Sequence, residues 1–135
     1  MRSPRFLFLA ILFFSSTALA AESIEVKRGE DLMVFGNCVP RMLVENKTND
    51  TVGYLQIDLE LTLVDGRKKI VELKSAYRGG IDRPIAPKGH LILQQHLDES
   101  TALGAPCKDV TARKVARVLC EAAGRSCAYF VKVDP

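Results

Sequence analysis

Leu55, Ile57, Leu59, Leu61 and Leu63 alternate with Gln56, Asp58, Glu60 and Thr62 in the stretch VGYLQIDLELTLVDG, without a break. A period of two suits a β-strand, because successive side chains point to opposite faces and every aliphatic residue of the run then falls on one of them. The stretch reads as a long half-buried strand whose other face, Gln56, Asp58, Glu60 and Thr62, is expected to be wet. Asp65-Gly66 closes it, and RKKIVELKSAY returns with Val71, Leu73 and Tyr77 in phase, the pattern of a hairpin partner.

The rest of the chain punctuates itself in the same way. MLVENKTNDTV is a strand followed by a polar turn, and HLILQQHL is a further short strand. Between them, residues 79–89 (GGIDRPIAPKG) hold too many glycines and prolines for regular structure and suggest a connection between two sheets. DESTALGAPCKDVTA fits a helical turn and a loop equally. RKVARVLC and CAYFVKV form the last pair. About seven short strands with turn signals between them predict an all-β fold, a small antiparallel β-sandwich of fibronectin type III or immunoglobulin-like type, with an open barrel as the alternative.

The chain begins MRSPRFLFLAILFFSSTALAAES, with Arg2 and Arg5 before an apolar run and Ala18-Leu19-Ala20 after it. This is the pattern of a secretory signal peptide cut after Ala20, and the run is about half the roughly 20 residues a membrane span needs. Residues 1–20 are therefore expected to be removed and residues 21–135 to form a single domain, exported to the periplasm or beyond, with no membrane span after cleavage. Cleavage takes two of the 19 basic residues and none of the 16 acidic ones, leaving a balance near +1. Together with the absence of tryptophan, that balance argues against nucleic acid as a partner.

All four cysteines, Cys38, Cys107, Cys120 and Cys127, lie in the exported part, and an even count in an oxidising compartment predicts two disulfides. If Ala123-Gly124 centres the turn in VLCEAAGRSCAYFV, Cys120 faces Cys127 at a separation a disulfide can bridge. Val118 then faces Tyr129, Ala116 faces Val131, and Arg117 meets Phe130 in a cation-π contact. Cys38 and Cys107 are left for each other, with two other connectivities open. Six residues between Cys120 and Cys127 do not match a thioredoxin-type redox pair, and the spacings lack the paired knuckles of a zinc site.

The exported part has four serines, Ser23, Ser75, Ser100 and Ser126, and two histidines, His90 and His96. No Gly-x-Ser-x-Gly elbow or His-Glu-x-x-His run is among them, so the expectation is no catalytic residue, no cofactor and no enzyme. Met33, Met42, His90 and His96 are soft or borderline ligands and form the alternative, a periplasmic metal-handling protein or enzyme. Arg67-Lys68-Lys69 sits at a turn, and Arg113, Lys114 and Arg117 are expected on a solvated strand face. Asn46-Lys47-Thr48 and Asn49-Asp50-Thr51 are sequons that a eukaryotic secretory route would glycosylate.

MLVENKTNDTVGYLQIDLELTLVDG, IAPKGH, and Cys107 with VARVLCEAAGRSC together resemble the small exported bacterial proteins of the interleukin receptor mimic protein A family. The resemblance implies a fibronectin type III-like fold and a binding module, in a family associated with cytokine-receptor mimicry and strand-exchanged dimers. No residue here matches a cytokine-recognition motif. The reading is then a non-catalytic β-sandwich that binds a protein partner through strand edges or end loops. The candidate surfaces are Gln56, Asp58, Glu60 and Thr62 and the loop 79–89, with a homodimer left open. A strand-exchanging structural subunit is a further alternative, although the segment around KRGED has little of the apolar alternation a donated strand needs.

Overall fold

In the computed structural model, which describes residues 22–75, 83–95 and 102–135, the alternating run becomes a 12-residue strand at the centre of a sheet. Ten strands are described: β1 (Ile24–Arg28), β2 (Leu32–Val34), β3 (Asn37–Val39), β4 (Arg41–Asn46), β5 (Val52–Leu63), β6 (Lys68–Lys74), β7 (His90–Gln94), β8 (Val110–Ala122), β9 (Arg125–Ser126) and β10 (Val131–Asp134). The expected signal peptide, Tyr77, His96 and Ser100 lie outside the described residues, as does the part of the 79–89 loop before Arg83.

The sequence periodicity carries directly into burial. Leu55, Ile57, Leu59 and Leu61 are shut off from solvent, and Val71 and Leu73 meet Leu59 and Ile57 across the β5–β6 hairpin. At the turn, Gly66 takes φ +86° and closes the loop by donating its N–H to the Leu63 carbonyl. Asp65 completes it, accepting the Arg67 backbone N–H at 3.0 Å and the Arg67 Nε at 2.6 Å.

The eight strands of the main sheet run in the order β10-β1-β4-β7-β6-β5-β8-β9, and β2 and β3 form a separate hairpin. Only one residue pair, Lys74 with Gln94, joins β6 to β7. The sheet curls there, so that Ile24, Val26, Met42, Val44 and Leu93 from one half and the β5, β6 and β8 residues from the other enter one apolar core. The expected all-β class is found, but as a curled sheet rather than a seven-strand sandwich of two separate sheets. The segment from Arg83 to Gly89 is irregular, apart from an isolated bridge of Ile85 to Val52.

Two strands depart from the sequence reading. β1 is a full member of the sheet, with Ile24 and Val26 buried against β4 on one side and β10 on the other. β10 runs parallel to β1, because a 3-10 turn over Ala128–Phe130 redirects the chain after Ser126. The β8–β9 hairpin keeps the expected register at Glu121–Ser126 and Ala122–Arg125, around Ala123 and Gly124 at positive φ, and as far as Cys120, whose carbonyl accepts the Cys127 N–H at 3.0 Å, but not beyond. The expected pairings of Val118 with Tyr129 and Ala116 with Val131 are therefore not formed. Arg117 does not pair with Phe130 either, and its Nε donates to Asp58 Oδ2 at 2.8 Å.

Both disulfides have the expected partners, Cys38–Cys107 with Cα atoms 4.6 Å apart and Cys120–Cys127 at 4.9 Å. Such bonds persist in oxidising compartments. The first spans 69 positions of sequence and the second only 7. On chain-entropy grounds, replacing the first pair by serine is expected to cost about 4.4 kcal/mol and the second about 2.5 kcal/mol. Urea unfolding of the two double variants checks the order, and equal losses would contradict it.

The hydrogen bonds from the Arg67 backbone and side chain hold the Asp65 carboxyl below the usual aspartate range. A depressed folded pKa stabilises the hairpin above the unfolded value, near 3.8, and that contribution is lost as pH falls through the lower folded value. A carboxyl NMR titration is expected to place the Asp65 midpoint below that of an unstructured aspartate.

Candidate functional site

The face of β5 expected to be wet is only partly so. Glu60 and Thr62 are half-exposed, but Gln56 and Asp58 are buried at 5% exposure. β5 lies between β6 and β8, and long neighbouring side chains close over its middle. Tyr54 Oη donates to Gln56 Oε1 at 2.5 Å, Gln56 Nε2 to Asp58 Oδ1 at 2.7 Å, and Arg117 covers the other Asp58 oxygen. Alternation alone does not reveal such a polar chain, because it reports which face is apolar and not what covers the other.

Asn46 is also not where a polar turn would place it. It is fully buried, and its Nδ2 donates to the carbonyls of Asp50, Ile85 and Ala86, while its Oδ1 accepts from the backbone N–H and hydroxyl of Thr48. A glycan on Nδ2 is incompatible with that network, so the first sequon is structural. Asn49 is exposed, and its Nδ2 reaches Glu22 Oε1 at 2.7 Å.

The candidate metal ligands are dispersed. Met42 is sealed in the core, His90 is exposed at the start of β7, and Met33 projects from β2, with its Sδ 3.4 Å from the Cys107 amide. The Asp31 carboxylate and the sulfurs of Cys38 and Cys107 do lie within 4.8 Å of one another. Both sulfurs are consumed by the disulfide, however, and both carboxylate oxygens face Arg113, so the cluster is a brace rather than a ligand set.

That brace carries the feature the sequence reading missed. The β2–β3 hairpin turns through Phe35 (φ +48°) and Gly36 (φ +78°), the signs of a type I′ turn. Asn and Gly normally occupy such a turn, because a Cβ is strained at positive φ. Phe35 is nevertheless present, and it is 100% exposed. Met33 at 52% and Leu32 at 36% extend the apolar surface from the tip along β2. The spacing LMV-FG-NCV, an apolar triplet and a mostly apolar one around X-Gly, was the available signal.

Beneath the tip the hairpin is held on several sides. Cys38 is bonded to Cys107 and donates its N–H to the Ala105 carbonyl at 2.8 Å, and Asn37 Oδ1 accepts from the Gly104 N–H at 2.9 Å. The incoming strand is fixed by Asp31, which takes both guanidinium nitrogens of Arg113 on β8 and, at 3.2 Å, Arg28. Arg113 was expected on a solvated face. It points inward, opposite Leu61, because the extra residue Ala116 bulges β8 and reverses the parity of residues 112–115, until a second shift at Thr111 restores it. The result is a rigid stem with a free aromatic tip.

A second exposed aromatic site is the pair Tyr129 and Phe130, whose rings stack edge to face at 5.7 Å in the turn before β10. Phe130 also borders a shallow cleft of about 340 Å³ lined by Glu22, Asp50, Arg125 and Ser126. His90 is not among its lining residues.

The Arg113 and Asp31 side chains are 6% and 11% exposed, so removing one partner strands a nearly buried charge. Asp31→Ala is expected to cost about 3 kcal/mol or more in denaturant unfolding, and Asp31→Ala with Arg113→Met to recover much of that loss. A double variant as unstable as the sum of the singles would contradict this coupling.

No protein-family model matches the chain, and no curated protein matches it in sequence. Among solved structures, it is similar to one described as the structural characterization of IrmA from Escherichia coli. The TM-score is 0.54 at 12% identity, over 84% of this chain and 92% of that one. At that identity the likeness is one of fold, and in fold the resemblance read from the sequence is found.

Proposed function

We propose that this chain is an exported, non-catalytic β-domain, periplasmic or secreted, that binds a protein partner through the tip of the β2–β3 hairpin. The observation that carries this reading is Phe35, fully exposed and at positive φ on a stem braced by a disulfide and a nearly buried ion pair. An aromatic ring left entirely in water contributes nothing to the fold, and its backbone conformation costs roughly 1 kcal/mol or more. Strain of this kind persists where a site needs it, and a large aromatic on a pre-ordered support is the usual anchor of a protein interface. The fitting partner presents an apolar pocket wide enough for one ring, with room for Met33 and Leu32 at its rim. The two disulfides and the fold likeness to IrmA support the exported, binding-module part of the reading.

Stability and binding should separate at this position. Phe35→Asn places a favoured type I′ residue in the turn and is expected to raise stability by about 0.5 to 1 kcal/mol while abolishing partner capture. Thermal unfolding, and photo-crosslinking from position 33 in secreted and envelope fractions, check the two halves. Capture unchanged in Phe35→Asn would overturn the assignment of the tip.

A further inference from the structure

β8, whose Arg113 braces the base of the hairpin, presents a different surface along its outer edge. β8 ladders with β5 along its length, but its outer edge meets β9 only at Glu121 and Ala122. Among the described residues, no strand pairs with that edge over residues 110–119, the Cys120 carbonyl accepts the Cys127 N–H, and β10, which passes near β8, ladders with β1. A long open edge presents unpaired backbone donors and acceptors and is a template for an incoming strand.

The charges of β8 decide which strand fits. Its outward side chains are Ala112, Lys114, Arg117 and Leu119, paired with Thr62, Glu60, Asp58 and Gln56 of β5. Lys114 is exposed and has no ion pair among the described residues, and the Arg117 side chain is 55% exposed even while it holds Asp58. A second copy is rejected on these grounds. Antiparallel pairing of two β8 edges centred between Val115 and Ala116 sets Lys114 opposite Arg117 twice, and neighbouring registers still gather the same four cations along one seam, where like charges are destabilising.

β5 itself shows the complementary pattern. Asp58 and Glu60, two residues apart, meet Arg117 and Lys114, three residues apart, because the Ala116 bulge absorbs the difference. We propose that the outer edge of β8 is a β-augmentation site for an acidic extended peptide, with carboxylates two residues apart reaching Arg117 and Lys114 and an apolar residue beside Leu119. Backbone pairing supplies the attachment and the carboxylate spacing supplies the choice. This surface is independent of the hairpin tip.

Fluorescence anisotropy with labelled synthetic peptides of about nine residues, a typical long-strand length, tests the proposal on the intact domain. One peptide alternates Glu with Val and Thr, a second carries Lys for Glu, and a third is the acidic peptide with alternate amides N-methylated. Saturable binding of the first, little of the second, and a loss of about tenfold or more for the third are expected, since N-methylation keeps charge and removes the ladder. Lys114→Glu should weaken the acidic peptide about tenfold and improve the lysine peptide, with Lys114→Gln intermediate. Phe35→Asn should leave all three unchanged. No saturable binding of the acidic peptide, equal binding of the acidic and lysine peptides, or full binding of the N-methylated one overturns the proposal.

Discussion

The apolar face of β5 has to be covered over twelve residues, and no single neighbouring strand can do so. Side-by-side pairing with β6 and β8 satisfies the backbone but leaves Leu55, Ile57, Leu59 and Leu61 facing outward from the layer. Only a second layer removes them from water, at a gain of roughly 25 cal/mol per Å². The sheet supplies that layer from itself by bending at the one rung between Lys74 and Gln94, which brings Val44, Met42 and Leu93 over the leucines. The buried Asn46 network then ties the end of β4 to the segment around Ile85 and Ala86, which the isolated Ile85–Val52 bridge fastens in turn to the start of β5.

A single inserted residue has effects well beyond its position. With Ala116 bulged out, Val115 and Arg113 turn inward in place of Ala116 and Lys114. An inward arginine needs a carboxylate, and Asp31 is delivered from the segment that leads into the projecting hairpin. The register of β8 therefore sets the support of Phe35, although the two are far apart in sequence. The same bulge gives the outer edge of β8 the spacing that favours acidic strands.

What was legible in the sequence was local. The β5–β6 hairpin followed from strict alternation and an Asp-Gly turn, and Cys120–Cys127 followed from symmetry about Ala123-Gly124. Extending that symmetry beyond Ser126 failed, because the 3-10 turn depends on where β1 offers an edge, a fact of tertiary structure. β1 was passed over because only Ile24 and Val26 are apolar in five residues, too few for a pattern. Burial of Asn46 and Asp58 was invisible for a related reason, since polar residues signal exposure unless the groups that satisfy them are already known. Phe35-Gly36 was readable as a turn, but the cost of phenylalanine at that position becomes apparent only once φ is known.

The pairing of β1 with β10 bears on how the domain is made. The first and last strands of the fold lie side by side, so contacts between them join chain segments synthesised at the beginning and the end of the domain. Such distant closures are slow and come late in folding. Until β10 is in place, β1 is the open edge of that half of the sheet. The C-terminal strand therefore acts as a latch on the N-terminal one, and the sheet is complete only when both ends of the domain have met.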